Sequence, residues 1–179
     1  MSETLRDLAR KHADHTRGRV VEEARQYDDR GEVPLPGYAG SLTAFALAVT
    51  AVAAAGRRTG RGLPERYDLS DIALGALATH KFSRLVSKGS VTSPIRAPFT
   101  EFEEPAGSAE LNERAREGRV RHTVGELLTC PFCLGQWVGT GYVAGLALAP
   151  RPTRAWAAVF AVTGISDTLQ QVYARLRDD

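Results

Sequence analysis

Charged and apolar residues are segregated along this chain, and the segregation predicts its elements. Residues 1–36 are dense in alternating acids and bases. Leu5, Leu8 and Ala9, then Val20, Val21 and Ala24, give two short stripes at helical spacing, interrupted near Gly18. Mixed charge at that spacing predicts a solvated helical arm. Val33-Pro34-Leu35-Pro36-Gly37 ends it, since a proline breaks a helix interior. From Gly37 to Gly56 no residue is charged, and the run has about the length that crosses a ~30 Å hydrocarbon core.

Further runs follow. Ser70 and Asp71 read as the cap and first turn of a helix over 70–88, with the acid at the positive end of the dipole. Its apolar part is short, and Lys81, Arg84 and Lys88 fall on one face, where long cationic side chains can snorkel. It is the most polar of the candidate spans. Residues 89–128 read as a polar loop with three X-Pro steps, Ser93-Pro94, Ala97-Pro98 and Glu104-Pro105. The charged stretch Glu110 to Arg121 predicts a short surface helix inside it. Spans over 133–149 and 154–172 complete the series, with Pro150-Arg151-Pro152 as the turn between them.

The expected fold is all-α: a small helical membrane bundle of three to four spans over 37–177, behind the charged helical arm. The lipid bilayer is then the first partner. With the N-terminus inside, Lys and Arg on the cytoplasmic side (Arg17, Arg19, Arg25, Arg30, Lys81, Arg84, Lys88, Arg96 and those from Arg114 to Arg121, then Arg175 and Arg177) outnumber those outside. The outer set is Arg57, Arg58, Arg61, Arg66, Arg151 and Arg154. Both termini are therefore expected in the cytoplasm of a multi-pass protein in the cell membrane. The acidic, polar start Met1-Ser2-Glu3-Thr4 does not read as a secretory signal.

Composition adjusts the picture in two places. A formal net charge of +2 argues against a nucleic-acid footprint. The mean hydropathy of −0.23 keeps a soluble all-helical domain open as a third reading.

Candidate chemistry centres on Cys130 and Cys133, the only cysteines. Thr129-Cys130-Pro131 reads as a helix cap followed by a first-turn proline, where the dipole favours a thiolate. The pair reads as packing, as a redox couple or as half a zinc site completed by His80 and His122, although those histidines lack ligand spacing. On the cytoplasmic side the thiols are expected reduced. Asp167, inside or beside the last run, is a candidate for an intramembrane ion pair with Arg84, or with Lys81. Gly135, Gly139, Gly141 and Gly145 have the small-residue spacing that lets helices approach closely, and suggest a homo-oligomer face. Arg96, Phe99 and Glu101 mark the polar loop as a surface for an unidentified membrane or cytoplasmic protein. No cofactor and no catalytic residue can be named.

Several segments carry a resemblance. Asp71-x-x-x-Gly75, Ser83-Arg84-Leu85, Thr92-Ser93-Pro94-Ile95-Arg96-Ala97-Pro98-Phe99 and Thr129-Cys130-Pro131-Phe132-Cys133-Leu134-Gly135-x-Trp137 resemble a bacterial family of unknown function that includes the YjcA-type sporulation proteins. The resemblance covers roughly Tyr38 to Leu169. It implies a small multi-pass membrane protein in spore or envelope formation, acting as a structural or interaction protein. It carries over no catalytic residues. A membrane thiol protein, redox or metal-binding, is the alternative.

Overall fold

The computed structural model describes residues 2–28, 30, 33–64, 66–107 and 109–178. Met1, Gly31, Glu32 and the side chains of Leu5, Ala9 and Arg17, which belong to the predicted arm, lie outside that description. The fold is mostly helical with one small sheet. The described chain divides into two units, Met1–Gly40 and Ser41–Asp179.

The first unit holds α1 (Ser2–Tyr27) and the opening of α2 (Leu35–Arg58). α1 continues through Gly18, where the stripe pattern had predicted an interruption. Local bonds support it: Thr16 Oγ1 donates to the His12 carbonyl at 2.8 Å, and Arg19 faces Glu23 one turn on. Pro36 lies in the first turn of α2, where a missing N–H costs nothing.

The second unit is built on α3 (Leu69–Lys88), α6 (Pro131–Leu148) and α7 (Pro150–Asp178). The apolar runs become helices as predicted, but the N-cap position of α3 is Asp68, not Ser70, and its side chain makes no capping bond. Its pairings fix the directions. Asp71, Gly75, Thr79 and Ser83 of α3 meet Arg154 of α7, then Tyr142, Gly139 and Gly135 of α6 in descending order. α3 and α6 are therefore antiparallel. Lys81 lies against Gly164 and pairs with Asp167, so α7 runs parallel to α3. A small core of Ala78, Tyr142, Leu146 and Ala157 is flanked by Leu74, Trp156 and Phe160. Phe82, Trp156 and Phe160 pack edge-on or tilted, with centroids 4.9–5.3 Å apart.

Residues 89–128 are structured, which corrects the expected loop. After a 3₁₀ turn (Ser90–Thr92) and a short α4 (Ser93–Arg96), β1 (Thr100–Gly107) pairs antiparallel with β2 (Glu110–Ala115). α5 (Arg119–Thr129) then leads to α6 through Cys130 alone. The first half of the expected helix over Glu110–Arg121 is β2 and its last three residues open α5. The strand forms because its charges are satisfied across the pair, with Glu101 opposite Arg114. A register irregularity accommodates Pro105.

α2 contrasts with the other helices. Among the described residues it is the helix long and apolar enough to cross a membrane, and none of its apolar window is buried. Leu42 and Leu47 are about two-thirds exposed, at 70% and 66%. One helix passing this test does not establish the three or four spans expected. α6 carries no charge, but Gln136, Thr140 and four glycines dilute its hydropathy. α3 and α7 carry several charges each.

Candidate functional site

The cysteines stand at the joint between α5 and α6. Cys130 caps α6, and its Sγ accepts from the Cys133 N–H at 3.1 Å, with Pro131 in the first turn as the sequence predicted. The two sulfurs are bonded as a disulfide with Cα atoms 5.3 Å apart, so the expected reduced pair is not what the structure holds. Phe132 between them is 91% exposed. The arrangement presents an oxidised dithiol at a helix N-terminus, open to an exchange partner on one side.

The zinc set does not assemble. Among the described residues no group of three or more His, Cys, Asp or Glu side chains could hold a metal. His122 lies 3.5 Å from Glu126, one turn along α5, and His80 is exposed on α3.

The residues chosen as a partner loop divide. Arg96 is fully buried, which overturns its reading as a presented side chain. Its guanidinium forks onto Glu113 at 2.6 and 3.0 Å. The remaining donors reach the Val86 and Gly89 carbonyls and Thr92 Oγ1 at 2.7–3.0 Å. Thr100 Oγ1 also donates to Glu113. Arg96 therefore ties the C-terminal end of α3, the 3₁₀ turn and β2 together from inside. Phe99 is half-buried. Glu101 remains at the surface, held by Arg114 at 2.7 Å and Arg116 at 3.5 Å. Hydrogen bonding from Arg114, then its charge, keeps the Glu101 carboxyl below the usual range.

Ion pairs tie the helices at both ends of the bundle. Asp167 meets Lys81, while Arg84 is taken by Glu110 of β2 in a two-point contact at 2.7 Å, so the pairing of Asp167 with Arg84 does not form. At the other end Arg154 of α7 forks onto Asp71 at 2.7 and 2.8 Å, and Tyr142 Oη donates to the Asp71 carbonyl at 2.9 Å. Sequence reading saw Asp71 only as a first-turn acid. The signal for its partner was Arg154 at the start of the last run, opposite in sign and at the matching end.

Gly135 and Gly139 face Thr79 of α3 and Gly145 faces Thr153 of α7, so these glycines serve contacts within the chain. Gly141 faces open space. That space is a groove of about 620 Å³ between α2 and α6, which sequence reading missed because no residue type marks it. Phe45 and Trp137 close one end edge-to-face at 5.1 Å. At the other, Arg61 donates to the Leu148 carbonyl, and Arg57 and Arg61 line the mouth.

A family described as a protein of unknown function, DUF1360, matches residues 74–173. The chain belongs to that family. The DUF1360 segment takes in most of α3, the Arg96–Glu113 lock, the hairpin, the disulfide and nearly all of α7. It leaves out α1, α2 and Asp71, so the resemblance from Tyr38 onward is drawn in to Leu74. Sporulation protein YjcA of Bacillus subtilis (strain 168) is 25% identical over 107 residues, covering 58% of this chain and 91% of that protein. No solved structure matches.

Proposed function

We propose that the chain is a multi-pass integral membrane protein that acts through contacts with lipid and protein partners. In this reading α2, α3, α6 and α7 are the spans, and both termini are cytoplasmic. The observation that carries it is α2, an apolar helix of membrane length with none of its apolar window buried. In water that surface would be a large exposed apolar patch. Helix direction supports the count: α2 and α6 start at the end where α3 and α7 finish. The polar chemistry of α3 and α7 is paired off between helices, as spans with charged residues require. The relative named a sporulation protein suggests spore or envelope formation as the process.

Carbonate extraction of tagged protein from bacterial membranes is the test. Retention in the pellet is expected; release into the supernatant would sink the reading.

A second reading, a membrane thiol protein, is favoured by the disulfide itself. Charge bias puts the Cys130 end on the cytoplasmic side, where a disulfide persists only if it is cycled. Cys130→Ser with Cys133→Ser separates the two, because a contact protein keeps its function while a redox protein loses it.

A further inference from the structure

We infer that the groove between α2 and α6 holds one acyl chain of an anionic phospholipid, with its phosphate on Arg57 and Arg61. The inference rests on the membrane reading and names a ligand within it. A groove of about 620 Å³ lies in the range of sites that bury one small molecule. Its walls between the aromatic end and the arginine end are aliphatic and small, and an apolar space of that kind does not favour water. From Phe45 to Gly56 it runs roughly 16 Å along the helix at 1.5 Å per residue, a shape for a chain rather than a compact ligand.

The charge decides the headgroup. The Arg57 guanidinium has no ion pair or hydrogen bond among the described residues, and Arg61 uses one N–H on the Leu148 carbonyl and keeps the others. Two guanidinium groups at the mouth of an apolar slot complement a phosphate at the end of an acyl chain. Among the described residues no acid lines the groove. A second copy of the chain fits less well. Two copies with one membrane orientation are related by an axis along the bilayer normal, which brings like residues to the same depth. Arg57 would then approach Arg57 of the partner subunit, at a cost in repulsion.

Native mass spectrometry of the full chain in mild detergent tests this, with phosphatidylglycerol and phosphatidylcholine of identical acyl chains added in equal amounts. One retained phosphatidylglycerol per chain is expected, favoured by about fivefold for each basic residue engaged. Arg57→Gln should lower that preference by about fivefold. Gly141→Leu projects into the open groove, where a Cβ meets nothing within 4 Å, and should abolish retention without lowering the thermal midpoint. Equal retention of the two lipids by the wild type overturns the inference, as does undiminished phosphatidylglycerol on Gly141→Leu. A dimer lost in Gly141→Leu, with no lipid bound to the wild type, would assign the groove to a second copy instead. Should Gly141→Leu fail to fold, the Arg57→Gln ratio decides alone. Failure of the lipid preference in protein that resists carbonate sinks only this inference; carbonate release sinks the membrane reading as well.

Discussion

Arg96 is held by a carboxylate, a hydroxyl and two carbonyls with no access to water. A buried charge so paired is costly to orphan. Arg96→Gln leaves Glu113 uncompensated and should destabilise the hairpin by about 3–5 kcal/mol, read as early cleavage within β1–β2 in limited proteolysis. Arg96→Met with Glu113→Leu removes both charges and should recover much of the loss. The Thr92–Phe99 segment was visible in the sequence as a pattern, yet the burial of Arg96 within it was not, because Glu113 sits on a strand that charge patterning had assigned to a helix. Glu101 makes the exposed counterpart. Its carboxyl is held below the ordinary glutamate value by the hydrogen bond from Arg114, so the folded state binds its proton more weakly than the unfolded chain. Its stabilising contribution is present above that value and is lost as pH falls through the lowered pKa. Thermal midpoints from pH 6 to pH 3 should fall more steeply for the wild type than for Glu101→Gln.

At the scale of elements, run length and charge segregation made four of the long helices legible, the last one running four and six residues past its predicted bounds. The hairpin was not legible. Its strands alternate acids and bases instead of apolar and polar residues, and their pairing depends on cross-strand charge that no local window contains. The glycines of α6 were read as an outward face, whereas three of the four pack against α3 or α7. Gly75 of α3 shows the same close approach from the other side: a Cβ there would drive into the Tyr142 ring. Gly75→Ala should push Tyr142 off the Asp71 carbonyl and cost about 1–3 kcal/mol, measured as a lowered thermal midpoint of detergent-solubilised protein. Gly141→Ala on the neighbouring helix, facing open space, is the control and should leave the midpoint unchanged.

Across the whole molecule, charge is neutralised by distance in sequence. Asp71 and Lys81 of α3 find Arg154 and Asp167 only in α7, the last helix of the chain. A ribosome delivers these groups in order, so α3 emerges with Asp71 and Lys81 before their counter-ions have been made. Until α7 follows, α3 is poorly suited to lie alone in hydrocarbon, and release of nascent helices one at a time would strand it. On the proposed membrane reading, α3, α6 and α7 would be released late and jointly from the insertion machinery. On the same reading, a chain truncated before Pro150 would leave Asp71 and Lys81 without their partners in α7.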